Sequence, residues 1–377
     1  MPGRLKAIAR AGVGVDNIDL EAATEKGVLV MNSAEASTLS TAEHAFTLLM
    51  ALCRQIGPAY QTMFTGGWDR NKFMGRQLHG KTLGVVGFGR IGRTVAERAL
   101  AFGMTVVAYD PLINVPTMLD GRVKIYRVFT EMLPHVDMLT FHVPLTDETR
   151  GMLNEETFKL SRKGVLVVNA ARGGVIDEVG LLKALESGQC GGAGLDVYTT
   201  EPPPADFALR KHPKVLCTPH LGASTHEAQQ AVSIAAAEQL LEYLRGQGIR
   251  GAVNAGGIKV DLTPVQQAFV DLVQRMASLI SPMITRGMAG ITLELTGKEL
   301  APAAATIQRV ALVRLLQSRF DVPVNIVSVV NTAEQRGIQL QVITNDDPSG
   351  PRASGPQIAL EIKGPPGSAR SQHAARR

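Results

Sequence analysis

Three apolar runs in this chain each end on a side chain able to hold or move charge. "GVLVVNAARGGVID" places Arg172 among alanines and glycines, directly after a run of valines. "GGAGLDVYTTEPP" places Asp196 and Glu201 after a second run, and "KVLCTPHLGAST" places His220 after a third. Arginine is a poor residue to bury and a poor one for a tight turn. Its guanidinium can, however, grip a carboxylate through two parallel hydrogen bonds. Gly173 and Gly174 would let the chain turn there without covering it. Taken alone, Arg172 is explained about equally well by a structural pairing with a nearby acid such as Asp177, and a lone histidine is more often structural than catalytic. The three together suit hydride transfer at a 2-hydroxy acid. Arg172 would hold the carboxylate and polarise the carbonyl. His220 would take the hydroxyl proton as hydride leaves, and Glu201 would pair with His220 and orient its ring.

Such a trio needs a hydride carrier, and a second motif offers one. "GVVGFGRIG" contains Gly87, Gly89 and Gly92 in the spacing G-x-G-x-x-G. By itself the pattern also fits a structural strand-to-helix turn. Here it follows a strand-like run and opens a helix-like one, "RIGRTVAERALAFG". The next strand-like run, "TVVAYD", ends in Asp110, eighteen residues after Gly92. The glycines allow a tight turn and close approach of a pyrophosphate to the helix N-terminus, and the acid can accept ribose hydroxyls. Asp110 is followed by Pro111 and not by a basic residue, so its carboxylate would repel a 2′-phosphate. NAD is therefore expected over NADP.

The elements that must position these residues form an alternating series. From Lys81 to about Gly222, the apolar runs "TLGVVGFG", "MTVVAYD", "VDMLTFHVP", "GVLVVNAA", "GGAGLDVY" and "KVLCTPH" alternate with helix-like segments. Near-continuous apolar strands between helices indicate a parallel sheet covered on both faces, and ligands of such sheets sit beyond the carboxyl ends of the strands. "STHEAQQAVSIAAAEQLLEYLRG" reads as one helix with Ser224 or Thr225 as N-cap. Beyond Val260 the pattern predicts helix 264–286, strand "GITLEL", helix 303–319 and strands "VNIVSVV" and "IQLQVIT". The methionines of "QRMASLISPMITRGM" read as core packing. The fold class expected is α/β: a doubly wound Rossmann-type parallel sheet with an incomplete, discontinuous substrate domain and a partial C-terminal regulatory-type α/β domain. The nucleotide-binding domain is placed at 35–225, pieces of the substrate domain at 1–34 and 226–250, the regulatory-type unit at 258–345, and a disordered tail at 346–377.

Composition narrows the function further. Of the net charge of +5, the five basic residues from Pro348 onward against Glu361 alone supply +4. The remainder is near neutral, and a basic tail without interleaved aromatics is weak evidence for a nucleic-acid site, so no nucleic-acid partner is expected. Cys53, Cys190 and Cys217 have neither disulfide-framework nor metal-ligand spacing, and His44, His79, His135, His142 and His226 show no metal spacing either. No metal is expected. Without a signal peptide or a membrane-length apolar run, the expected compartment is the cytoplasm, with no membrane partner. Trp68, the single tryptophan, lies in "GGWDRNKFMG" and reads either as an apolar anchor or as a contact for phosphate or a second subunit.

In these motifs the chain resembles the D-isomer-specific 2-hydroxyacid dehydrogenases. The resemblance rests on "GVGVDNIDLEAATEKGVLVMN", "NKFMGRQLHGKTLGVVGFGRIG", "NAARGGVIDEVGLLKALESGQCGGAGLDVYTTEPP" and "PHLGASTHEAQ", in that order, and covers about Leu5 to Asn254. It implies Arg172, Glu201 and His220 as catalytic residues. It implies an NAD site lined by Arg90, Ile91, Asp110, Ala170, Arg172, Asp196 and the His220–Gly222 stretch, beside Gly87, Gly89 and Gly92. It also implies a homodimer or homotetramer paired through the nucleotide domains. "KFMG" and "PHLGAST" point to the branch that oxidises 3-phosphoglycerate, a phosphorylated 2-hydroxy acid, in serine synthesis. The alternatives are reduction of glyoxylate or hydroxypyruvate, or an inactive NAD-binding fragment. Departures from the family are a short N-terminal segment that reads as truncated, with too little material to bury a core and a bare strand edge; a regulatory unit that stops after "IQLQVIT"; a tail with the composition of a shifted reading frame; Val13 where a small polar residue is usual; and "NSAEASTLSTAEH", which lacks the usual proline and asparagine.

Overall fold

Parallel pairing of buried valine-rich strands organises the middle of the chain. A computed structural model describes residues 5–245, 249–256, 258, 262–284, 287–317, 324–346, 355–364 and 373–376. The chain divides into two compact units: Glu35–Ala231, and Met1–Ala34 together with Val232–Arg377. Among the described residues no helix is long and apolar enough to cross a membrane.

The chain opens on β1 (Ala7–Arg10) and β2 (Leu29–Asn32), which pair in parallel around α1 (Leu20–Glu25). Of the two edges of this pair, that of β2 is covered. Asn32 N–H donates to Gly251 O and Val253 N–H to Val30 O, at 2.9 and 2.8 Å, so a segment more than 200 residues downstream occupies the outer edge of β2. Leu29 and Met31 are fully buried, in one cluster with Ala255 and Val327. The core of this segment is built from distant parts of the chain, which local pattern cannot show.

The second unit begins with α2 (Thr38–Cys53) and α3 (Ile56–Phe64). It continues through β3 (Thr82–Val86), α4 (Arg90–Ala101), β4 (Thr105–Tyr109), β5 (Thr117–Met118), β6 (Val123–Tyr126), α5 (Phe129–Met132), β7 (Met138–Phe141), α6 (Glu155–Leu160), β8 (Val165–Asn169), α7 (Glu178–Glu186), β9 (Cys190–Leu195), α8 (Ala208–Lys211) and β10 (Val215–Cys217). The eight strands lie in the order β10-β9-β8-β7-β3-β4-β6-β5. Every pairing is parallel except that of β5 with β6. From β3 the chain works outward through β4 and β6, then returns to β7 on the other side. In open sheets of this kind ligands bind beyond the carboxyl ends of the strands at such a reversal, here those of β3 and β7. Side chains of α2 and α4, among them Ala45, Leu49, Val95 and Ala99, share one buried cluster with Leu83, Val85 and Val168. The opposite face buries Val86, Leu139, Phe141 and Val167 with Leu181 and Leu185 of α7.

Next comes α9 (His226–Leu244), with Thr225 Oγ1 accepting Ala228 N–H at 3.1 Å. The last stretch contains α10 (Pro264–Ile280), β11 (Gly290–Thr296), α11 (Ala304–Leu316), α12 (Val329–Gln335), β12 (Gln339–Asn345), β13 (Gln357–Lys363) and β14 (His373–Arg376), with sheet order β12-β11-β13-β14. Two expectations fail here. "VNIVSVV" is not a strand. Asn325 Oδ1 accepts the N–H groups of Val327 and Ser328, closing a turn that leads into α12, and this side-chain turn overrides the β-branched composition. The disordered tail expected from 346 fails over residues 355–364, while 347–354 and 365–372 lie outside the described residues. "QIALEIK" pairs antiparallel with β11 and buries Ile358, Leu360 and Ile362 at every second position. The surrounding Pro, Gly and Arg hide this alternation when composition is averaged. Of the methionine stripe, Met276 joins the core and Met288 packs against it, while Met283 is exposed.

Candidate active site

Both sequence-derived groups of residues lie at the carboxyl ends of strands of the eight-stranded sheet. Gly87 follows β3 with φ +89°, and a Cβ there would fall 2.7 Å from the carbonyl oxygen of His142, the residue after β7. At Gly92 a Cβ would lie 2.0 Å from Gly87 O, so only glycine lets α4 start this close to the turn. Gly89 is the N-cap of α4 and faces open space. Asp110 follows β4 and clamps the same turn, its Oδ2 accepting Phe88 N–H at 3.0 Å and its Oδ1 accepting Leu112 N–H at 3.0 Å. A carboxylate has about four acceptor positions, so it can still receive two ribose hydroxyls. An uncovered helix N-terminus beside an acid at the second strand end fits a dinucleotide. Arg90 begins α4 and pairs with Glu35 at 2.9 Å on the surface, and Ile91 packs against the core. Ala170 is buried at the end of β8.

The second group lies beyond β8, β9 and β10. Arg172 is half-buried, and its backbone carbonyl accepts from Asn169 Nδ2 at 2.8 Å, which fixes the loop that carries it. Asp177, the acid considered as its partner, serves as N-cap of α7 and accepts the N–H groups of Val179 and Gly180. A Cβ on Gly173 would overlap Tyr198 O at 1.9 Å, so the loop of Arg172 lies directly on the loop of Glu201. Glu201 Oε1 accepts Tyr198 N–H at 3.0 Å, and Glu201 Oε2 lies 2.7 Å from His220 Nδ1. A carboxylate can only accept, so Nδ1 carries the hydrogen and Nε2 of the neutral ring keeps its lone pair. The imidazole is 52 % exposed.

Asp196 has a duty the sequence reading did not give it. Its carboxylate is fully buried. Oδ1 accepts from Thr218 Oγ1 at 2.6 Å and from Leu221 N–H at 2.8 Å, and Oδ2 accepts Gly222 N–H at 2.9 Å. Its backbone carbonyl accepts His220 N–H at 2.9 Å. Burial pushes this carboxyl up, but donors from His44, Thr218 and Leu221 outweigh it and hold the group below its ordinary value. Asp196 thus anchors the loop that presents His220. His44, Thr218 and Tyr198 were not picked out from the sequence. The signal that could have found His44 is a polar pair, Thr41 and His44, three apart on the side of α2 that continues into Ala45 and Leu48.

His142, at the end of β7, is a structural histidine. Its Nε2 lies 3.0 Å from Thr140 Oγ1, and its Nδ1 is closed off from solvent with no partner among the described residues. Burial pushes the imidazole down from 6.5 to about 3. The unfolded chain takes up a proton near 6.5 that the folded chain refuses until about pH 3. This group's contribution to stability is therefore complete above 6.5 and declines as pH falls, by up to ~1.4 kcal/mol per pH unit within that window. Urea unfolding of the parent and of His142→Leu at pH 7 and pH 5 is expected to show a pH-dependent loss about 2 kcal/mol larger in the parent. Equal losses would show that His142 is not buried neutral.

Comparison with known proteins agrees with this geometry. Residues 46–222 match the family model described as D-isomer specific 2-hydroxyacid dehydrogenase, NAD binding domain. The chain is 42 % identical over 353 residues to the D-3-phosphoglycerate dehydrogenase of Rattus norvegicus, covering 93 % of this chain and 66 % of that protein. It is 40 % identical over 350 residues to that of Bacillus subtilis (strain 168), covering 92 % and 66 %. It therefore spans about 66 % of the length of these curated relatives. Among solved structures, a glyoxylate reductase from Paecilomyes thermophila superposes with a TM-score of 0.63 at 34 % identity, over 67 % of this chain and 76 % of that one. An NAD-dependent formate dehydrogenase from Staphylococcus aureus in complex with NAD superposes with a TM-score of 0.61 at 33 % identity, over 65 % and 74 %.

Proposed function

The chain belongs to the D-isomer specific 2-hydroxyacid dehydrogenase family, and we propose that it catalyses the NAD-dependent oxidation of 3-phospho-D-glycerate to 3-phosphohydroxypyruvate, the first step of serine synthesis. The observation that carries the chemistry is the 2.7 Å contact between His220 Nδ1 and Glu201 Oε2 beside the loop of Arg172. The substrate is inferred from the relatives named above. NAD, held by the Gly87–Gly92 turn and Asp110, supplies the hydride acceptor. Arg172 binds the substrate carboxylate through two hydrogen bonds and keeps the hydroxyl-bearing carbon in place. His220 Nε2 takes the hydroxyl proton, and the imidazolium so formed is stabilised by Glu201. In the reverse direction the same imidazolium returns the proton to the carbonyl oxygen. A purified chain given NAD and 3-phosphoglycerate is expected to form NADH, with the D-isomer but not the L-isomer. Loss of this stereochemical preference would overturn the proposal. The three free cysteines suit a reducing compartment, and the cytoplasm is the compartment proposed.

The working form proposed is a homodimer or homotetramer paired through the nucleotide-binding unit. α3 has no buried residue. Tyr60, Phe64 and Trp68 are 67, 73 and 78 % exposed, with Ile56, Met63 and Met74 exposed beside them in sequence. Trp68 is thus no apolar anchor within its own chain. Exposed apolar surface on this scale marks an interaction site, and aromatic residues carry most interface energy. Phe64→Glu combined with Trp68→Glu is expected to convert the parent assembly to monomers in sedimentation velocity. A parent that is already monomeric, or a double variant that assembles unchanged, contradicts this.

A further inference from the structure

The first turns of α2 face the segment that carries His220. Ser40 Oγ lies 2.8 Å from Thr225 Oγ1, and a Cβ on Gly222 would come within 3.3 Å of Thr41 Cγ2. His44 Nε2 lies 3.0 Å from Asp196 Oδ1 and 3.2 Å from Thr218 Oγ1. Residues 40, 41 and 44 share one side of a helix by their spacing. The direction of the His44 contacts follows from the hydrogens available. Thr218 has one hydroxyl hydrogen, and its 2.6 Å bond to Asp196 uses it. Ionised Asp196 has none. Both partners of Nε2 are therefore acceptors, and His44 is the donor.

The loop so held is a constrained one. His220 has φ +54°, a left-handed conformation that is uncommon for a residue other than glycine and persists where the surroundings enforce it. Its enforcement comes from Asp196, which fixes the N–H groups of residues 220, 221 and 222. Asp196 is held in turn from the other side by His44, whose side chain is 18 % exposed. We propose that His44 is a positioning residue for the proton transfer at His220, acting through Asp196 and Thr218 without touching substrate. The proposal rests on the reading of His220 as the general base.

The test uses His44→Ala, His44→Gln, Thr218→Val and the double variant His44→Ala/Thr218→Val, with two readouts. The first is steady-state kinetics. Misplacing a reacting group by about 1 Å costs up to about 100-fold, so His44→Ala is expected to lower kcat by tens of fold while KM for NAD stays within about twofold. His44→Gln keeps a donor and is expected to recover most of that loss. The double variant is expected to be little slower than the slower single variant, because both act on the same carboxylate. The second readout is amide hydrogen exchange, which needs no turnover. Exchange at Leu221 and Gly222 is expected to quicken in His44→Ala, with exchange across β3 and the start of α4 unchanged. Parental kcat together with parental exchange at those two amides overturns the proposal. So does a uniform rise in exchange over the whole sheet, which would make His44 an ordinary core residue. If the parent forms no NADH, the functional reading of His220 fails, and the exchange data alone then decide whether His44 holds the loop.

Discussion

Arg172→Ala is expected to lower kcat/KM for the oxo acid by about 1,000-fold, in the upper half of the 2–5 kcal/mol that truncating one partner of a hydrogen-bonded charge pair costs. NADH affinity is expected to stay within about threefold of the parent, because the turn that would hold the dinucleotide is built from Gly87, Gly92 and Asp110 at other strand ends. The loop itself should survive the change. Two of its fixed points, the Asn169 side chain on the carbonyl of residue 172 and the close approach of Gly173 to Tyr198, do not use the guanidinium; the change removes the bond from Arg172 Nη1 to Ala171 O. Arg172→Lys is expected to recover little, since an ammonium cannot form two parallel hydrogen bonds to one carboxylate. Competition binding of NADH beside steady-state kinetics checks this. An equal loss of both would place Arg172 in the architecture of the site and not at the substrate.

His220→Asn carries the second large effect. General acid–base catalysis contributes typically about 100- to 10,000-fold, and kcat at neutral pH is expected to fall within that range. Asparagine can neither take the hydroxyl proton nor share a charge with Glu201. Glu201→Gln offers a sharper test of the same pair. A glutamine amide can donate to Nδ1, which would drive the ring hydrogen to Nε2 and block the lone pair that accepts the proton. It is expected to reproduce much of the His220→Asn loss. The double variant is expected to be no slower than His220→Asn alone, because the two residues act as one unit. An unchanged rate in His220→Asn would remove it as the base, and additive losses would separate Glu201 from His220.

Much of this site can be read in the sequence, because the chemistry stands at fixed offsets from strong local signals. The turn from β3 to α4 and Asp110 follow from glycine spacing and a period of alternating apolar runs. The trio proposed as catalytic is read from three strand ends of one sheet. What could not be read depends on contacts between distant segments. Asp196 looks like one more polar residue at a strand end, and only the fold shows its carboxylate buried beneath residues 218–222 with His44 of α2 against it. The cover on β2 comes from residues 251–253, which no short-range pattern links to it. "QIALEIK" shows the opposite failure. Its alternation was visible, but composition averaged over the tail outweighed it. "VNIVSVV" misled because β-branched residues favour strands, while a single asparagine side chain closed a turn there instead.

The most direct measurement is NADH oxidation by the purified chain, followed by absorbance, with 3-phosphohydroxypyruvate, hydroxypyruvate and glyoxylate in parallel. The expected result is turnover with a clear preference in kcat/KM for the phosphorylated oxo acid. Faster turnover of glyoxylate or hydroxypyruvate would contradict the proposed substrate, and no turnover with any of the three would contradict the proposed reaction.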